Sequence, residues 1–213
     1  MTENIDVTNT REIILERSKE LFLALGYHKT TMRAIAEAAG ISTGPLYFHF
    51  QSKAEVFFHI CNQAFDYLIA DFRVVAGDSS HAARRLKNIY YVYKKFYYRE
   101  PQLFEIMHLA TDPMAGIDLP AELVELLKQK AQEKVSIMEQ VTSEGILRKE
   151  LRPVEPRKLA LYLYSVAEGI FLSNRIGVLK QSEISLDEMI EAAIDLVGLG
   201  MISCSENVRG VRE

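Results

Sequence analysis

Residues Thr30 to Glu55 read TTMRAIAEAAGISTGPLYFHFQSKAE, and this stretch decides the fold. Thr31 is placed to cap a short helix whose inward face is Ile35, Ala36 and Ala39, and Gly40 supplies the left-handed residue that stops it. Ala36 is small and lies four residues before that glycine, so a second helix can approach the first. Ile41 plugs the corner. Ser42 then precedes a second helix whose first turn is Thr43, Gly44 and Pro45, where a proline does no harm because first-turn amides have no intrahelical partner. Leu46 faces inward, while Thr43, Gly44, Pro45 and Tyr47 face out. The spacing predicts a helix-turn-helix that offers the start of its second helix to the major groove of a duplex.

The exit from this unit carries the charge. Ser52 and Glu55 form an S-x-x-E capping box, so a new helix starts at Lys53 with its positive dipole end beside that lysine. Backbone amides, Lys53, His49 and the Tyr47 hydroxyl are expected to converge on phosphate oxygens. Between Lys29 and Lys53 three cations, Lys29, Arg33 and Lys53, meet one anion, Glu37, whereas the whole 213-residue chain carries a net charge of −4. The positive charge is therefore local, and indiscriminate coating of nucleic acid is excluded.

Gly40-Ile41-Ser42, Leu46-Tyr47-Phe48-His49-Phe50 and Ser52-Lys53 together resemble the DNA-binding head of the tetracycline-repressor (TetR) family of transcriptional regulators, over about Thr10 to Phe58. The resemblance implies a turn, an aromatic recognition helix and a phosphate-binding lysine at those positions. It also implies that Arg33 occupies a first-helix position that reaches a base in some members. Two departures stand out. The family often has a second tyrosine where this chain has Phe48, which is expected to pack inward. Gly44 and Pro45 leave few side-chain hydrogen bonds for base edges, so direct readout falls on Thr43 and Arg33, with Pro45 able to meet a thymine methyl group.

Elsewhere the chain reads as helix throughout. Asn9 and Glu12 are placed to open a first helix with Ile14, Leu21, Phe22 and Leu25 on its buried side, closed by Gly26. A long helix runs from Lys53 to about Val75, and further helices are expected to Arg99, over Leu103 to Ala110, from Pro120 to about Glu144, from Pro156 to about Ile176, and after a Ser185 to Glu188 cap. The fold class is all-α, with a three-helix DNA-binding head and a helical ligand-binding and dimerisation domain. The expected divisions are a flexible arm over 1–9, the head over 10–54, the second domain over 55–202 and a flexible tail over 203–213. The helix from Pro156 is apolar nearly all round, and with the last helix it carries more apolar surface than one core needs, which suggests an isologous homodimer through a four-helix bundle. Such a dimer would set two recognition helices roughly 34 to 36 Å apart on a palindromic operator. Cys61 and Cys204 lack metal-ligand spacing and suit unpaired thiols in a reducing cytoplasm, and the polar N-terminus shows no signal peptide.

Tyr90, Tyr91, Tyr93, Phe96, Tyr97, Tyr98 and Phe104 form a dense aromatic stretch, with Met107 just beyond. One helical stripe cannot bury them all, and aromatic and methionine side chains suit a cavity for an apolar or amphipathic small molecule. The family resemblance implies an effector in the second domain, for which Tyr93, Tyr97, Met107, Met138, Tyr164 and Phe171 are the expected lining. Glu168, an acid in an apolar helix, needs a partner such as Arg175 or a tyrosine hydroxyl, or else a ligand, and structural pairing is the favoured explanation. The Glu105 to His108 spacing matches half of a di-iron pattern, but the second half is missing, so neither a metal nor a cofactor is expected. No catalytic fingerprint is found, which favours a regulator over the alternative of a small helical enzyme or carrier. The expected partners are duplex operator DNA, a second copy of the chain and the effector, with no membrane.

Overall fold

The computed structural model describes residues 7–111 and 115–201. Among them are ten helices: α1 (Val7–Leu25), α2 (Met32–Ala38), α3 (Thr43–His49), α4 (Lys53–Ala76), α5 (Ala82–Arg99), α6 (Pro101–Thr111), α7 (Ala121–Leu147), α8 (Pro156–Arg175), α9 (Val178–Gln181) and α10 (Leu186–Met201). No strand occurs among the described residues. The chain is all-α, as the periodicity predicts.

The chain divides into two compact units. The first comprises residues up to Leu68 together with Phe96–Ala131, and the second comprises Ile69–Lys95 together with Gln132 onward. This division falls elsewhere than the expected boundary after residue 54, because the first turns of α4 and the whole of α6 pack with the head. Of the expected arm, residues 7–9 are already helical, so Asn9 lies within α1 instead of capping it. The expected tail, 203–213, lies outside the described residues.

Local chemistry accounts for the punctuation. Gly26 and Gly40 both take positive φ, +84° and +69°, where a side chain would be strained. The Thr31 hydroxyl accepts from the Ala34 amide at 3.1 Å. Ser42 occupies the cap position of α3 without making a side-chain bond. Ser52 accepts from the Glu55 amide at 3.1 Å, and the Glu55 carboxylate answers at the Gln51 amide, 2.6 Å away. Ser185 and Glu188 close a reciprocal box at 3.2 and 2.8 Å.

In the first unit α1 packs on α2 and α6, and α2 packs on α3. Ile14, Phe22, Ile35, Ala36, Leu46, Phe50 and Phe57 are buried between these elements. The aromatic stretch divides between the two units. In the second, α5 buries Ala82, Leu86, Ile89 and Tyr93 at three- and four-residue spacing. Gly145 on α7 admits close packing: an added Cβ would lie 2.5 Å from the Ala82 Cβ and 2.8 Å from Leu151. No helix among the described residues is long and apolar enough to cross a membrane.

Candidate functional site

The head presents one continuous outer face. Arg33 on α2 and Thr43, Gly44, Pro45 and Tyr47 on α3 are exposed, and His49 is half-buried against the Phe48 ring, 5.3 Å between centroids. Leu46 and Phe50, four residues apart, are both fully buried and hold α3 against the head. That arrangement overturns the expected inward packing of Phe48. On a helix of 100° per residue, position 48 lies two residues from each anchor and so points the other way. Phe48 is 76% exposed, the most exposed aromatic side chain of the recognition helix. The periodicity of Leu46 and Phe50 already contained this information.

The Lys53 side chain makes contacts within the head. Its ammonium donates to the carbonyl oxygens of Tyr27 and Thr30 at 2.7 and 2.9 Å and lies 4.3 Å from the centre of the Tyr27 ring. Burial pushes its pKa below the ordinary lysine value. Tyr27 in turn packs on Phe22 and Phe57, and the Thr30 hydroxyl donates to the Gly26 carbonyl at 2.9 Å. Lys53 thereby fastens the loop between α1 and α2 to the start of α4.

In the second unit, the structure brings together four of the six expected cavity residues. Tyr93, Met138 and Tyr164 line one void with Phe72, Ile89, Tyr90, Lys134 and Ala167, and the Phe171 ring packs tilted against Tyr93 with centroids 4.6 Å apart. The void is only about 10 Å³. Tyr97 and Met107 belong to the first unit, where Tyr97 packs edge-on to Phe104 at 5.0 Å and Met107 is core. A larger groove of about 470 Å³ opens beside α5, α8 and α10, over Leu86, Tyr90, Leu163, Ala193, Ile194 and Val197, and none of the six expected residues lines it. That groove is open to solvent and has Arg84, Lys87 and Asp195 along its edge, whereas the void is enclosed and bordered by Lys134, Tyr93 and Tyr164.

Glu168 finds its partners here. The Tyr93 hydroxyl donates to its Oε1 at 2.8 Å, the Tyr164 hydroxyl also bonds it, and Lys134 Nζ lies 3.4 Å away. A tyrosine hydroxyl is thus among the partners of the acid, as expected. Lys134 escaped the sequence reading, although its position between Ala131 and Met138 on α7, three and four residues away, placed it on the buried face. Burial raises both tyrosine pKa values, and the neighbouring Glu168 carboxylate raises them further. Desolvation lowers that of Lys134, against which Glu168 acts. Among the described residues no cluster of histidine, cysteine or acidic side chains is arranged to hold a metal.

Residues 14–60 match the model of the bacterial regulatory proteins, tetR family. The head of the chain is a TetR-type DNA-binding head. It is 27% identical over 150 residues to the HTH-type transcriptional repressor KstR2 of Mycobacterium tuberculosis strain H37Rv, covering 68% of this chain and 72% of that protein. It is 25% identical over 161 residues to the HTH-type transcriptional regulator RutR of Escherichia coli strain K12, covering 75% and 72%. A TetR/AcrR-family regulator from Thermobifida fusca YX-ER1 shares the fold, with a TM-score of 0.72 at 22% identity over 96% of this chain and 100% of that one. The matched region of the family model spans the helix-turn-helix described above, and the chain is a DNA-binding transcriptional regulator of the TetR kind. These relatives favour a regulator over the enzyme or carrier alternative.

Proposed function

We propose that the chain is a homodimeric repressor acting in the cytoplasm, released from a palindromic operator when a small apolar or amphipathic effector enters the second unit. The observation that carries this reading is the two-sided recognition helix: Leu46 and Phe50 bury one side completely and leave Thr43, Gly44, Pro45, Tyr47 and Phe48 facing out. Arg33 and Thr43 read base edges, Pro45 and Phe48 meet thymine methyl groups or sugars, and Tyr47 and His49 bond phosphates. Gly44 lets the helix backbone approach the groove. Lys53 contributes by holding the loop that carries α2.

Dimerisation is supported by the outer faces of α8 and α10. Leu161, Tyr162, Leu172, Ile176 and Leu196 are exposed in the single chain, Leu196 at 73%. Gly169 has open space where a Cβ would stand, so a partner helix can come close. A continuous helix, α4, begins at Lys53 in the first unit and ends in the second, and so links effector binding to the head. An effector that favours one of two α4 positions shifts operator affinity by its differential affinity for them.

The test is binding of the full chain to DNA flanking its own gene, against a random duplex of equal length, across a salt series. Arg33→Ala and Thr43→Ala should change preference at particular base pairs, and Tyr47→Phe should weaken both duplexes alike. Equal affinity of the unaltered chain for both duplexes at every salt concentration rules the reading out.

A further inference from the structure

The polar cluster inside the second unit is asymmetric in its exposure. Lys134 sits on the buried face of α7, in line with Leu127, Met138 and Val141, and its side chain is 2% exposed. Its partner Glu168 is 26% exposed. The cation is thus fixed in the core, while the anion sits at the edge with a route to water. The ammonium also faces two aromatic rings, 5.3 Å from the centre of Tyr93 and 5.0 Å from that of Tyr164. Both faces favour a cation and neither supplies a counter-charge.

A well-packed apolar side chain generally serves a core at least as well as a buried ion pair. At position 134 a methionine would continue the apolar stripe of α7. The lysine therefore has a use other than packing. Whatever occupies this site must leave an anion beside the ammonium, because an uncompensated charge in the core is strongly destabilising. An incoming amine would stand against Lys134, and an alcohol brings no charge to replace that of Glu168. A phosphate dianion would bring one negative charge more than the carboxylate it displaces. A carboxylate exchanges for a carboxylate with charge conserved.

We propose that Lys134 is the recognition residue for an effector that is a carboxylic acid with an apolar body. The carboxylate of the effector takes the place of Glu168 at Nζ and accepts from the Tyr93 and Tyr164 hydroxyls, and Glu168 turns to its solvent side. The apolar body enters among Phe72, Ile89, Met138 and Ala167, and because the void they enclose is about 10 Å³, these side chains move apart to admit it. Effector binding and rearrangement of α4, which carries Phe72, are then the same event. This inference rests on the reading of the second unit as the effector-binding part.

The chain has ten tyrosines and no tryptophan, so its emission is that of tyrosine, and Tyr93 and Tyr164 contribute two of the ten signals. The full chain is titrated with octanoate, octanol and octylamine and with phenylacetate, phenylethanol and phenethylamine, following tyrosine emission and the melting temperature. At least one acid should bind saturably and raise the melting temperature, with its alcohol and amine weaker by about tenfold or more. Glu168→Gln, which removes the charged competitor, should bind that acid more tightly. Lys134→Met should lose it, and Lys134→Arg, which keeps the cation, should retain it and so separate charge from packing. An alcohol or amine that binds as tightly as its acid, an acid that binds Lys134→Met unchanged, or failure of both acids overturns the proposal. Acid binding that leaves DNA affinity untouched overturns the release mechanism and not the site. DNA binding without acid binding overturns the site and not the regulator.

Discussion

Replacing Phe48 by alanine separates the two places this ring has been given. A phenylalanine can bury about 150 Å² or more, and here 76% of the residue is exposed before any DNA arrives. If the duplex covers about half of the ring, some 75 Å² leaves water, worth about 2 kcal/mol at roughly 25 cal/mol per Å². Phe48→Ala should then weaken operator binding by about 20-fold, while folding stability changes by less than about 0.5 kcal/mol, as for other exposed positions. Phe48→Tyr should keep most of the affinity. The assay is fluorescence anisotropy on DNA flanking the gene, paired with urea denaturation of the same preparations. Uracil in place of thymine at the contacted step should reproduce part of the loss in the unaltered chain and add little in Phe48→Ala. A loss of several kcal/mol in folding stability would return Phe48 to the core and refute the reasoning, and so would unchanged DNA affinity.

Three further outcomes follow from the same structure. Lys53→Met should lower folding stability by about 2 kcal/mol, since it removes charge-assisted bonds to the Tyr27 and Thr30 carbonyls; unchanged stability with a salt slope reduced by about 1 would instead make Lys53 a direct phosphate contact. Leu172→Asp together with Leu196→Glu, both on exposed outer faces of α8 and α10, should yield a folded monomer by sedimentation with much weakened operator binding, and a dimer that survives both changes contradicts the proposed interface. Gly145→Ala should destabilise by about 1 to 3 kcal/mol, because the new Cβ would lie 2.5 Å from that of Ala82 and the gain in helix propensity is smaller; an increase in melting temperature would show that α5 gives way at little cost.

The head was legible because its determinants are local. Thr31, Gly40, Ser52 and Glu55 act on residues a few positions away, so their order in the chain already contains the caps, the turn and the start of α4. Leu46 and Phe50 also contained the outward direction of Phe48, once the helix period was applied to the pair of them. The second unit was legible only as helices. Periodicity assigns each helix a buried face but does not say which buried faces meet, so Tyr97 and Met107 were grouped with Tyr93 although they pack in the other unit.

Two features belonged to tertiary structure alone. Lys53 reads along the chain as the cation beside a helix start, yet its partners are carbonyls 26 and 23 residues earlier, brought to it by the packing of Tyr27 against Phe22 and Phe57. Tyr93, Lys134 and Glu168 come from three different helices, separated by 34 to 75 residues in sequence. By itself the sequence determined that the chain is helical, where the head turns, and that it belongs on a duplex, since short-range backbone and capping chemistry suffices for each. Which carbonyls Lys53 would bind, and which acid would neutralise a lysine in the core, depended on long-range packing, because burial is what makes a charge seek one particular partner instead of water.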